Sequence, residues 1–160
     1  MTFNPASFRE YDIRGVADRD LDDATVVAIG AAIADTVIER KLEASAVIGA
    51  DCRTHSPRLR NALIRGLATR LSITDCGMIA TPMLYFASRT LRPGAAIMIT
   101  GSHNPAEDNG FKILIGDEAQ WGPRIAALRD RVAARLGANA AGAQPTTERT
   151  ADPASDASLD

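Results

Sequence analysis

The sequence predicts a layered α/β domain on a mixed, mostly parallel sheet, and three observations predict it. Between Phe8 and Leu136, segments with apolar residues at helical spacing alternate with short apolar runs of strand length. Two helix starts carry a hydroxyl residue followed by proline, Ser56-Pro57 and Thr81-Pro82. The third observation breaks the alternation. Ala95–Thr100 and Gly110–Ile115 are separated only by a polar, turn-rich loop, with no helix to return the chain across the sheet. Those two strands are therefore expected to pair antiparallel, which makes the sheet mixed.

The elements follow in order. Val26, Ile29, Ile33 and Val37 lie on one helical face, with Asp22 and Asp23 before them and Arg40 and Lys41 after, as the helix dipole favours. Ala46–Ala50 is a short buried strand ending at Asp51. Ser56 is expected to cap the next helix, whose core stripe is Leu59, Leu63 and Leu67. Ser72–Met78 is a second strand, and Thr81-Pro82 opens a helix through about Arg89. Ala95–Thr100 is apolar enough to be central. After the loop Gly101–Asn109 and the strand Gly110–Ile115, a last helix is marked by Ile125, Leu128, Val132 and Leu136.

From Gly137 to Asp160 the composition shifts to Ala, Thr, Ser, Asp and Pro, with Leu159 the only large apolar side chain. Such a stretch cannot bury enough surface to fold, so 137–160 is expected to be a disordered tail or linker remnant, and 8–136 the domain.

Composition narrows the function classes. The 160 residues are 46% apolar and 24% charged, with a formal net charge of -2. That balance gives no field for nucleic acid, and 4% aromatics leave little for base stacking. Residues 1–8 lack the basic start and apolar run of a signal peptide, and no stretch approaches the roughly 20 apolar residues of a membrane span. A cytoplasmic protein without nucleic-acid or membrane partners is the expectation. Cys52 and Cys76 fit neither a zinc nor a disulfide pattern and are expected to be buried free thiols.

The most informative stretch is Thr100-Gly101-Ser102-His103-Asn104-Pro105, followed by Asp108-Asn109-Gly110-Phe111-Lys112. A serine directly follows a buried strand, beside a glycine that lets the backbone turn. His103 and Lys112 can supply the positive charge that a phosphorylated serine, near -2, would need. A loop leaving a central strand of an open α/β sheet is also where ligands bind. Composition alone equally allows a plain turn, since Ser, Asn, Pro and Gly are turn residues.

The loop resembles the T-[AG]-S-H-N-P signature of the α-D-phosphohexomutases, the phosphoglucomutase and phosphomannomutase family. Phe8-Arg9-Glu10-Tyr11-Asp12-Ile13-Arg14-Gly15 is similar to that family's F-x-x-Y-D-I-R-G opening. Gly49-Ala50-Asp51-Cys52-Arg53 is similar to its G-x-D-x-R turn, and Thr81–Ala87 to the T-P-x-L-Y-x-A segment of its bifunctional phosphomannomutase/phosphoglucomutase branch. The resemblance implies the three-layer α/β/α first domain of a phosphohexomutase. Ser102 would be the phosphoserine and, through its phosphate, one ligand of Mg²⁺. Lys112 and Arg14 would stabilise charge on the transferring group, His103 would lie in the same cluster, and Tyr11 would line the substrate cleft. Asp51 and Arg53 are expected to form a structural turn with an internal salt bridge.

The same resemblance implies further domains that are not in this sequence, among them the one carrying a D-G-D-G-D-R-type magnesium loop. The expected partners are a phosphosugar, a hexose 1,6-bisphosphate activator, and the missing domains or a complementing chain. The isolated chain is expected to be inactive, because one serine phosphate cannot supply the about six oxygens that Mg²⁺ requires. A non-catalytic binding or regulatory module, or one chain of a split mutase, is the alternative.

Overall fold

The computed structural model describes residues 3–142. After a 3-10 turn at Pro5–Ser7, the elements are β1 (Ile13–Val16), α1 (Ala17–Asp20), α2 (Asp23–Glu39), β2 (Ser45–Ala50), α3 (Ser56–Leu67), β3 (Ser72–Met78), α4 (Thr81–Leu91), β4 (Ala95–Ile99), β5 (Asp108–Ile115), β6 (Glu118–Ala119) and α5 (Pro123–Gly142). The sheet order is β1-β5-β4-β2-β3, with β6 paired to β5. β4 and β3 run parallel to β2, while β5 pairs antiparallel with β4, β1 and β6. Only β5 therefore opposes the common strand direction, and the sheet is mixed as expected.

The two faces of the sheet are unequally covered. One carries the main core, where Ile29, Ile33 and Val37 of α2, Leu59 and Leu63 of α3, and Ile125 and Val132 of α5 meet Ile48, Ile97, Ile99, Phe111 and Ile113. The other carries a smaller cluster of Val47, Ala96 and Met98 under Leu84 of α4. Helix α4 leaves Met83, Phe86 and Leu91 exposed on its outer side. The result is a three-layer α/β/α domain. Among the described residues no helix is long and apolar enough to cross a membrane.

Several local expectations need correction. Ser56 and Thr81 are the first helical residues rather than caps, preceded by His55 and Ala80, and neither helix has a side-chain cap bond. The Ser56 hydroxyl is used elsewhere, as described below. Asp22 does cap α2, its Oδ1 accepting from the Thr25 amide at 2.7 Å. Strand β5 starts at Asp108 rather than Gly110 because Asp108 and Asn109 pair with Val16 and Gly15 of β1. That strand escapes a periodicity search, since Arg14 and Gly15 interrupt its apolar pattern. Both cysteines are free, but Cys52 is exposed and Cys76 only half-buried.

Helix α5 continues past Leu136 to Gly142. Ala138, Ala140 and Ala141 are strong helix formers and extend its last turns. The rest of the expected tail, 143–160, lies outside the described residues.

Helices α2 and α3 meet backbone to backbone at Gly30 and Gly66. A Cβ on Gly66 would overlap the Val27 carbonyl oxygen and crowd Gly30 Cα. Alanine is favoured over glycine inside a helix by about 1 kcal/mol. Forcing two packed backbones apart costs more, typically about 1–3 kcal/mol and sometimes beyond. Gly66→Ala is therefore expected to lower stability despite the better propensity, as urea unfolding would show. A gain in stability would mean that the two helices separate freely.

Candidate functional site

Strand β4 ends at Ile99 in the middle of the sheet, and the chain turns out into the loop 101–107 before re-entering as β5. The turn at the end of β2 lies alongside, the Asp51 amide donating to the Ile99 carbonyl at 2.9 Å. The site thus forms at the carboxyl ends of two parallel strands, where the fold class binds ligands.

Ser102 is the second residue of the loop. It is exposed and holds φ at +53°, the left-handed region that side chains other than glycine's rarely adopt. Such a conformation costs on the order of 1–3 kcal/mol and persists only where surrounding bonds enforce it. The Ser102 amide donates to Thr100 Oγ1 at 2.8 Å and the Gly101 amide to Asp51 Oδ2 at 3.0 Å. His103 is exposed, its Nδ1 lying 3.3 Å from Ser102 Oγ.

Beneath the loop runs a buried polar chain. The fully buried Asn109 donates from Nδ2 to Ser56 Oγ at 3.0 Å, and Ser56 Oγ donates to Asp51 Oδ1 at 2.6 Å. Asp51 Oδ1 also accepts from the Arg53 amide at 3.1 Å. The hydroxyl that sequence reasoning assigned to a helix cap thus supports the loop instead. Arg53 lies across the loop with its Nε 3.6 Å from Asp51 Oδ2, so the internal salt bridge of this turn is present.

Burial raises the Asp51 carboxyl, but hydrogen bonds from Ser56, the Arg53 and Gly101 amides and Thr100 outweigh it, and the net shift is downward. Asp20, the last residue of α1, is also held below the usual range, chiefly by Arg19 and against its own burial, with help from Asn4 and the Val16 amide. A carboxyl depressed in the folded state stabilises the fold above the unfolded value near 4 and loses that contribution as pH falls. The thermal midpoint is therefore expected to drop progressively as pH falls below about 5, with a shallower drop in Asp51→Asn. Equal slopes in variant and parent would exclude Asp51 as a source.

The other expected residues divide into two groups. Arg14 is buried, with Nη1 donating to the Gly101 carbonyl at 2.7 Å and Nη2 to Asp12 Oδ2 at 2.6 Å. Lys112 pairs across with Met98, whose side chain belongs to the smaller cluster, and Arg14 pairs with Gly110 two residues before Lys112. Strand alternation puts Arg14 and Lys112 on that same face. Lys112 is half-buried and takes part in none of the ion pairs among the described residues. Tyr11 is 74% exposed and packs little. Beside the loop a cavity of about 240 Å³ is lined by Arg9, Arg14, Arg19, Asp20 and Asp108 among others.

The fold and this loop define a layered α/β domain that presents a strained serine at the carboxyl end of its central strand. The comparisons narrow the class. Residues 5–136 match the family described as phosphoglucomutase/phosphomannomutase, alpha/beta/alpha domain I. A phosphomannomutase/phosphoglucomutase of Pseudomonas aeruginosa is 42% identical over 130 residues, covering 80% of this chain and 28% of the relative. A phosphoglucomutase of Neisseria gonorrhoeae is 41% identical over 122 residues, covering 76% of this chain and 26% of the relative. The crystal structure of a phosphoglucomutase/phosphomannomutase family protein from Burkholderia thailandensis superposes with a TM-score of 0.78 at 34% identity, covering 84% of this chain and 31% of that one. The chain belongs to the phosphoglucomutase/phosphomannomutase family, as its α/β/α domain I. It spans about 28% of the length of the first of these relatives.

Proposed function

We propose that this chain is the phosphoryl-carrying domain of a phosphohexomutase, with Ser102 as the carrier and Phe8–Leu136 as the folding unit. The observation that carries the reading is the conformation of Ser102. An exposed hydroxyl is held in a strained backbone at the end of the central strand, within the loop that resembles the family signature. Strain of this kind concentrates where a group must be presented.

In the reaction, the Ser102 Oγ–P bond breaks as a hydroxyl oxygen of a hexose phosphate bonds to phosphorus. The hydroxyl's proton passes to a base, the departing Ser102 oxygen takes up a proton in turn, and His103 is the side chain hydrogen-bonded to that oxygen. The product is a hexose 1,6-bisphosphate. Transfer of its other phosphoryl group back to Ser102 Oγ, whose proton is released as the departing sugar oxygen takes one up, leaves the isomeric monophosphate and restores the carrier. Lys112 and Arg14 contribute positive charge on the face where the phosphoryl group moves, and Tyr11 contributes an exposed ring to the sugar's side of the cleft.

A magnesium ion would screen the transferring phosphate. Among the described residues no group of three or more His, Cys, Asp or Glu side chains could hold one. This domain would offer it a phosphate oxygen on Ser102, and the remaining ligands would come from a segment outside this chain. The domain alone is accordingly expected to be inactive.

The test is to mix the chain with a hexose 1,6-bisphosphate and the remaining segment of a full-length relative, then map phosphate by mass spectrometry. Label on Ser102 supports the proposal. Stable label elsewhere, with Ser102 bare, would sink it and favour a non-catalytic module that reuses the fold.

A further inference from the structure

We infer that Arg53, backed by Asp51, is a positioning residue for phosphoryl transfer, fixing the loop backbone that presents Ser102. The inference rests on the phosphoserine reading above. It starts from where the guanidinium points. Four backbone carbonyls of one loop converge on it. Nη2 donates to Asn104 O at 2.6 Å and Ser102 O at 3.1 Å, and Nη1 donates to Asp108 O at 2.9 Å and to Pro105 O. Nε faces the Asp51 carboxylate at 3.6 Å.

Carbonyl dipoles aimed at one point repel one another unless a cation sits there. A planar guanidinium with donors in a fixed fork can satisfy several at set angles. A lysine ammonium offers three donors from a single point on a flexible stem and cannot reproduce that spread. The side chain is only 15% exposed, so the charge is committed to the loop rather than free for a sugar phosphate.

The neighbouring sequence fits this role. A Cβ on Gly101 would overlap the Arg53 guanidinium, so glycine at 101 is what allows the arginine to lie across the loop. Ser102 is thereby gripped on both sides of its Cα. Its amide donates to Thr100 Oγ1, and its carbonyl accepts from Arg53. With both ends fixed, the left-handed conformation is imposed from outside the residue. The Asp51 carboxylate ties the same bracket to the preceding amide of Gly101 and, through Ser56, to Asn109 at the start of β5. Arg53 thus acts through Ser102 and touches no reacting atom.

Two arms test this. In the 160-residue chain, the Ser102 amide–Hα coupling and carbon shifts measured by NMR report its backbone region. The parent is expected to be left-handed. Arg53→Ala and Arg53→Lys are expected to lose that signature, and guanidinium ion at sub-denaturing concentration to restore it in Arg53→Ala only. The second arm joins the chain to the remaining segment of the Pseudomonas aeruginosa relative and measures turnover. There kcat is expected to fall roughly 10²-fold in Arg53→Ala, the scale for a reacting atom displaced by about 1 Å, with KM nearly unchanged. Guanidinium should recover kcat as it recovers the coupling. Asp51→Asn keeps the arginine and should show a smaller loss of the same kind, which covers the case that Arg53→Ala fails to fold.

Ser102 signals indifferent to Arg53, or full kcat with the left-handed signature gone, would overturn the proposal. A parent that holds Ser102 through Arg53 yet never labels it overturns the phosphoserine reading, and with it the transfer role. The NMR arm separates that failure from the first.

Discussion

Ser102→Ala is expected to abolish turnover in the completed enzyme while leaving the fold within about 0.5 kcal/mol of the parent. The hydroxyl contributes almost nothing to packing. It is exposed, and its one hydrogen bond among the described residues is to His103 Nδ1 at 3.3 Å. The backbone strain at φ +53° remains with alanine. Ser102→Gly separates the two roles further. Glycine adopts the left-handed region freely, so stability should hold or rise by up to about 1 kcal/mol while turnover is lost as completely. That pairing, a more stable protein with no activity, is the signature of a residue kept for function at the expense of stability. Turnover in Ser102→Ala, measured by coupling glucose 1-phosphate conversion to glucose 6-phosphate oxidation, would place the carrier elsewhere. A marked loss of stability in Ser102→Gly would show that no strain is stored at the loop.

Much of the fold was legible because the core elements carry undiluted signals. Val26, Ile29, Ile33 and Val37 fall on one face of α2, and all four are buried. The run Ala95–Ile99 is buried at every position, as its unbroken apolar character implies, and it lies in the middle of the sheet. The helix-free gap before β5 correctly indicated an antiparallel pair. What stayed hidden was polar. Strand β1 has a buried arginine and a glycine at its centre, so no alternation announces it. Its absence from the expected elements also displaced the start of β5.

The loop itself was legible as chemistry, and its support was not. Ser56, Asp51, Asn109 and Thr100 form one hydrogen-bonded network drawn from four separate segments. Each residue taken singly has an ordinary explanation in a cap or a turn. Only the fold brings them under Ser102. Arg53 illustrates the same limit. The expected salt bridge with Asp51 exists, but four carbonyls that lie some 50 residues later in the chain are its main partners.

Arg14 and Lys112 were expected to act alike, and the structure separates them. Lys112→Ala is expected to lower kcat/KM on the order of 10²-fold or more, the loss typical of a missing transition-state donor, with little change in thermal midpoint. Its ammonium has no ion-pair partner among the described residues to leave stranded. Arg14→Ala should cost a comparable factor in kcat/KM and also lower stability. Its removal leaves the Asp12 carboxylate without its cation, at 2.6 Å in the parent, and the Gly101 carbonyl without a donor at the root of the loop. Stranding groups of this kind costs about 1–3 kcal/mol each. Arg14→Lys then divides the two effects. A lysine can keep the charge near the phosphate and a partner for Asp12, but it cannot span Asp12 and Gly101 at once as the planar fork does. Partial recovery of stability with turnover still depressed would show that the loop contact matters to catalysis. Full recovery of both would reduce Arg14 to a point charge. Unchanged kcat/KM in Lys112→Ala would remove Lys112 from the phosphate site and leave it a solvated strand residue.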